Sequence, residues 1–114
     1  MDVITKIENQ LNTHPLVLYM KGTPQFPQCG FSSKVAAILK ECGASFAYVN
    51  ILEDFELREA LKTYSKWPTY PQVYLKGELL GGCDIVSELY ESGALKKQLE
   101  IAALCGAQPQ IVAA

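Results

Sequence analysis

The stretch from Lys21 to Lys34, Lys-Gly-Thr-Pro-Gln-Phe-Pro-Gln-Cys-Gly-Phe-Ser-Ser-Lys, constrains the fold more than any other part of the chain. It separates a continuous apolar run, Leu16 to Met20, from a periodic helical pattern that begins near Ser33. An apolar run without polar alternation suits a strand covered on both faces, so the stretch between is the turn of a strand-to-helix unit. That turn delivers Cys29 to a helix N-terminus. Unpaired backbone N–H groups and the positive end of the helix dipole favour an anion there, which for a cysteine is the thiolate. Gly22, Pro24 and Pro27 keep the preceding loop out of helix, and Gly30 lets backbone approach the sulfur closely. The thiolate is the form that attacks disulfides and binds metals.

The rest of the chain arranges itself around this turn. Val3, Ile4, Ile7 and Leu11 trace one helical face that stops at His14-Pro15, giving a first helix over Asp2 to Thr13. His14, the only histidine, reads as a turn residue and takes no role. After the cysteine loop, Val35, Ile38, Leu39 and Cys42 form a second apolar stripe, with Gly43 placed as a left-handed stop. Cys42 is then a small core residue. Phe46 to Val49 reads as a second strand, followed by Asp54 as N-cap and a helix with Leu57, Ala60, Leu61 and Tyr64 inward. Arg58 lies off that stripe. Strand, helix, strand implies a right-handed parallel unit.

Trp67-Pro68-Thr69-Tyr70-Pro71 ends the third helix, and Gln72 to Leu75 can pair with Glu78 to Leu80 through a Lys76-Gly77 turn. Gly81-Gly82-Cys83 then leads to Asp84 as the expected cap of a helix containing Ile85, Val86 and Leu89, a second nest for an anionic group. Leu95, Leu99 and Ala103 mark a last helix. Residues 1–105 read as one domain and residues 106–114, with Pro109 and no periodicity, as a flexible tail.

The chain's 114 residues fit one domain, and its net charge of -2 offers no footprint for nucleic acid or an anionic membrane surface. No apolar run approaches the roughly 20 residues that span a bilayer, and the N-terminus lacks a signal-like core, so a cytoplasmic protein is expected. The four cysteines, Cys29, Cys42, Cys83 and Cys105, match no secreted disulfide framework and lack the close pairs of a single-chain zinc site. A metal bound here needs ligands from elsewhere.

The element order, with a cysteine at the start of the helix after the first central strand, is that of an α/β, thioredoxin-like fold: a mixed four-stranded sheet flanked by helices. Within it the chain closely resembles the monothiol glutaredoxins of the Cys-Gly-Phe-Ser type. The resemblance rests on Lys21, Cys29-Gly30-Phe31-Ser32, Trp67-Pro68-Thr69-Tyr70-Pro71 and Gly81-Gly82-Cys83-Asp84, and covers about residues 1 to 105. It implies a groove for glutathione. Lys21 and Arg58 would hold the glycine carboxylate, Arg58 through its planar fork. Tyr70, before a cis Pro71, would pair its backbone with the cysteinyl part. The γ-glutamyl end would meet the N–H of Cys83 and the carboxylate of Asp84. Phe31, inside the motif, counts with them as a groove residue.

Ser32 stands where a dithiol oxidoreductase has its second cysteine, so no local disulfide closes. One thiolate from Cys29 beside one from glutathione gives two sulfur ligands, and a 2Fe-2S cluster takes four. The resemblance implies the matching assembly: a homodimer bridged by the cluster, passing it to iron-sulfur acceptor proteins, often with a BolA-like partner. The alternative is a glutathione-dependent thiol-disulfide oxidoreductase with Cys29 as nucleophile. A redox-silent adaptor would make the placement of Cys29 incidental. Ser32 and the Pro-containing loop favour cluster binding over thiol exchange.

Overall fold

The structure, a computed structural model, describes residues 2–114. Helix α1 (Val3–Thr13) leads into strand β1 (Leu16–Met20), then α2 (Gly30–Glu41), β2 (Phe46–Asn50), α3 (Phe55–Ser65), the hairpin β3 (Gln72–Leu75) and β4 (Glu78–Gly81), α4 (Cys83–Glu91), α5 (Ala94–Ile101) and β5 (Ile111–Ala113). The sheet order is β4-β3-β1-β2-β5, with β1 parallel to β2 and antiparallel to β3. The fold is thioredoxin-like, as expected from the element order.

All five residues of β1 are buried, as its unbroken apolar run requires. Side chains alternate across a strand, so β1 supplies two cores at once. Leu16, Leu18 and Met20 face α2, α4 and α5 through Val35, Leu39, Val86, Leu95 and Leu99. Val17 and Tyr19 face α1 and α3 through Ile7, Leu11, Leu57 and Leu61. Asp2 caps α1 through the N–H of Thr5, and Asp54 caps α3 through the N–H of Leu57. Gly43 turns left-handed at φ 68° after α2.

Three expectations are corrected. The sheet has five strands rather than four, because Ile111–Ala113 pairs in parallel with Phe46–Tyr48. The N–H of Phe46 donates to the Gln110 carbonyl at 2.9 Å, and Ile111 packs on the core beneath α2. So part of the segment read as a tail lies in the sheet. Helix α4 begins at Cys83 with Gly82 at the cap, which leaves Asp84 inside the first turn rather than capping it. A cap at Gly82 moves the helix start two residues back; the carboxylate still sits at the positive end of the dipole. Finally, α5 stops at Ile101, and Ala103 lies beyond it at φ 59°. The N–H of Leu104 returns to the Leu99 carbonyl at 2.9 Å, and Cys105 then bridges Ala44.

Ile111→Ala tests the fifth strand. A half-buried isoleucine that packs on the core should cost about 1 to 2 kcal/mol, below the full-burial range. Urea denaturation giving wild-type stability would show that β5 adds nothing to the fold.

Candidate functional site

A groove of about 620 Å³ opens where the C-terminal end of β1 meets the N-termini of α2 and α4 and the loop before β3. Its lining brings together every site residue expected from the sequence: Lys21, Cys29, Phe31, Arg58, Tyr70, Pro71, Cys83 and Asp84. Four distant segments thus converge on one concavity. Lys62, Trp67 and Gly82 also line it.

Cys29 is the cap residue of α2, in extended backbone at φ -153° and ψ 136°. Its thiol is held below the ordinary cysteine range, first by the Ser32 backbone N–H, then by that of Phe31, the Ser32 hydroxyl and the Lys21 charge. Partial burial of the sulfur works against this and loses. The other resolved thiols go the opposite way: desolvation raises Cys42 and Cys105. Of these three thiols, Cys29 is the one whose surroundings favour the thiolate. Ser32 is fully buried, and its hydroxyl accepts the Lys21 N–H at 3.1 Å, tying the start of the loop to the start of the helix. A serine in this position therefore has a packing role of its own.

The loop that presents Cys29 is closed on itself. Gly22 bridges Pro27, the Gln28 N–H donates to the Lys21 carbonyl at 2.9 Å, and Thr23 and Phe26 exchange backbone hydrogen bonds. Gly22 has φ +95°, and a Cβ there would lie 2.6 Å from the Phe26 carbonyl oxygen. From outside, Asn50 Oδ1 accepts the N–H groups of Gly22 at 2.9 Å and Leu52 at 3.1 Å, pinning the loop to the end of β2. Lys40 Nζ donates to the Pro24 carbonyl at 3.1 Å. No motif or periodicity in the sequence pointed to Asn50 or Lys40.

Opposite Cys29, the Tyr70-Pro71 peptide is cis, as the resemblance implied. The Tyr70 ring is 6% exposed, packs in the core beneath α1 and α3, and donates from its hydroxyl to the Arg58 carbonyl at 2.6 Å. Its bulk is thus taken up by the core while its backbone borders the groove. Burial pushes the phenol well above the ordinary tyrosine range. Arg58 is half-buried, and its Nε is a buried donor with no acceptor among the described residues. Across the groove, Gly82 lies against the Trp67 indole, where a Cβ would meet Nε1 at 3.1 Å. Cys83 turns its sulfur toward Ser87 Oγ at 4.0 Å and the core.

The charge pattern is polar end to end. Lys21, Arg58 and Lys62 supply cations, and Asp84 supplies the one carboxylate in the lining. Among the described residues no cluster of three or more His, Cys, Asp or Glu side chains could hold a metal ion.

Residues 16–80 match the family model described as Glutaredoxin. The chain belongs to the glutaredoxin family, on its monothiol branch. It is 51% identical to Glutaredoxin 4 of Buchnera aphidicola subsp. Schizaphis graminum, over 91% of this chain and 97% of that one. It is 54% identical to probable monothiol glutaredoxin 2 of Rickettsia conorii, covering 82% of this chain and 88% of that one. Among solved structures, reduced poplar apo GrxS14 matches with TM-score 0.77 and 52% identity over 89% of this chain and 93% of that one. A buckwheat glutaredoxin in complex with glutathione matches with TM-score 0.80 and 25% identity over 91% of this chain and 93% of that one.

In this glutaredoxin, Gly22→Ala should cost more than about 1 kcal/mol, because an added Cβ meets fixed backbone at a left-handed φ. The thiol-presenting loop must open to admit it, so Cys29 should also change its alkylation rate. Wild-type stability together with a wild-type rate would mean that the closed loop does not position the sulfur.

Proposed function

We propose that this monothiol glutaredoxin binds glutathione in the groove and carries a 2Fe-2S cluster between two copies of the chain, in iron-sulfur cluster storage, assembly and transfer. The observation that carries the reading is a thiolate-favouring cysteine, Cys29, in a groove lined by the cations Lys21, Arg58 and Lys62 and by one carboxylate, Asp84. Glutathione is a tripeptide with two carboxylates, one ammonium and one thiol. Arg58 and Lys21, both in the lining, suit its glycine carboxylate, Arg58 through its planar fork. The N-terminal turn of α4, with the Cys83 N–H, suits the γ-glutamyl carboxylate. Asp84, in the same turn, suits the ammonium. The backbone of Tyr70, beside Pro71, borders the space between the two ends, and the exposed Phe31 ring flanks Cys29.

The donor set also fits the cluster. Each chain brings one thiolate to the groove, and a bound glutathione brings a second, so two chains with two glutathiones reach the four sulfurs required. Within that arrangement the chain's own groups do three things: the α2 N–H groups hold the Cys29 sulfur ionised, the groove orients glutathione, and Ser32 closes off a local disulfide. A BolA-like protein and iron-sulfur acceptor proteins are the partners this reading calls for, in the cytoplasm. Thiol-disulfide exchange at Cys29 uses the same thiolate, so it is the competing activity to be measured.

Reconstitution with iron, sulfide and glutathione should give visible charge-transfer absorption and a doubled mass. Cys29→Ser should lose both, and Cys83→Ser should keep both, since the sulfur of Cys83 faces Ser87. Arg58→Ala should leave the fold intact and weaken glutathione binding by about 1.5 to 3 kcal/mol, the worth of one charge-assisted hydrogen bond. A colourless wild-type protein with rapid glutathione-disulfide exchange would favour the oxidoreductase. Cluster retention by Cys29→Ser would refute the ligand assignment.

A further inference from the structure

Gln72, the first residue of β3, is fully buried, although glutamine is a side chain that proteins normally leave in water. Its amide is satisfied at every strong position. Nε2 donates to the Trp67 carbonyl at 3.0 Å and to the Thr69 carbonyl at 3.2 Å, and Oε1 accepts from the Tyr74 hydroxyl at 3.2 Å. The reverse amide orientation would set Oε1 against two carbonyl oxygens, so the network fixes which end faces the loop. The loop has few other means of holding those carbonyls inward, because Pro68 and Pro71 have no N–H to donate. The Ser65 hydroxyl also approaches the Trp67 carbonyl, at 3.3 Å, but its single proton has a closer acceptor in the Leu61 carbonyl at 2.7 Å.

We propose that Gln72 is a positioning residue of the groove: its buried amide clamps the Trp67 and Thr69 carbonyls and so sets the wall formed by residues 67–71 against the start of α4. The clamp reaches both sides of the groove. The Trp67 indole lies on Gly82, where a Cβ would sit 3.1 Å from Nε1 and 3.2 Å from the Pro71 carbonyl oxygen. A displaced Trp67 is therefore felt at Gly82 and at the Cys83 N–H that follows. The clamp is itself anchored. Tyr74 stacks edge-on to Tyr19 with ring centroids 5.6 Å apart, and the Tyr19 hydroxyl donates to Gln10 Oε1 on α1 at 2.8 Å. The position of the wall is thus referred through two buried tyrosines to the far layer of the fold.

Trp67 is the only tryptophan, so its emission reports the wall directly. Two variants separate the clamp from simple packing. Gln72→Glu keeps the shape but cannot keep both donated hydrogen bonds: a carboxylate sets an acceptor against both carbonyls, and a protonated carboxyl donates to only one. Tyr74→Phe keeps the ring and its contact with Tyr19 but removes the donor to Oε1, so the amide loses the bond that anchors it from behind. In ligand-free protein, well below the unfolding midpoint, both variants should shift Trp67 emission, Gln72→Glu more strongly. This arm is independent of what the groove binds. The ligand arm rests on the glutathione reading: titration calorimetry should show roughly tenfold or greater loss of glutathione affinity for Gln72→Glu, and a smaller loss for Tyr74→Phe. A merely structural glutamine would lower the unfolding midpoint and leave the folded protein's emission and affinity unchanged, and that result overturns the proposal. If Gln72→Glu fails to fold, wild-type emission in Tyr74→Phe overturns it equally. If wild-type protein binds no glutathione, the glutathione reading fails, while the emission arm still decides the clamp.

Discussion

The site depends on one placement: Cys29 stands at the N-terminus of α2, where the N–H groups of the first turn favour the charged form of its sulfur. A helix start leaves those donors without partners, and a sulfur anion is a suitable acceptor for them. Everything near the site serves to bring the two together. The apolar run of β1, buried on both faces, fixes the end of the strand at the middle of the sheet. The closed loop from Lys21 to Gln28 then returns the chain to a point where Cys29 caps the helix. Buried Ser32 locks the two ends of that loop, and Asn50 holds it from the side.

The second wall follows different physics. No helix dipole holds residues 67–71; two prolines and a buried amide do. Trp67 and Pro71 close on Gly82, whose lack of a side chain lets the loop approach the start of α4. Thus one helix N-terminus carries Cys29 and another, that of α4, borders the same groove, with Arg58 and Lys21 among the lining charges. Chemically, the groove sets one cysteine among three cations, Lys21, Arg58 and Lys62, and one carboxylate, Asp84.

Much of this was legible in the sequence because it rests on local patterns. The apolar run of β1, the prolines and glycine before Cys29, the Asp54 cap and the Lys76-Gly77 turn each carry their own signal. What was illegible rests on contacts between distant residues. Strand β5 has three residues, too few for alternation, and exists by pairing with β2. The turn of α2 before Ser33 carries no apolar stripe, so periodicity alone did not mark the helix start at Gly30, which the placement of Cys29 did. Asp84 has a cap residue's chemistry, but Gly82 takes the cap because the backbone there must lie close to Trp67. Arg58 lies off the apolar stripe of its helix, so periodicity alone gave no sign of the groove; the resemblance pointed there, and Arg58 does line it. Gln72 gave no signal at all, because its partners are carbonyl groups that every residue has.

The most direct measurement is the pH titration of the four cysteine Cβ resonances in protein carrying 13C-labelled cysteine. Backbone N–H donors stabilise the charged form of Cys29, so its midpoint moves down; desolvation destabilises the charged forms of Cys42 and Cys105, so theirs move up. The expected result is a Cys29 midpoint below the value of about 8.5 for an unperturbed thiol, with Cys42 and Cys105 above it. A Cys29 midpoint at or above that of a free thiol would contradict the central claim that the α2 N-terminus holds a thiolate.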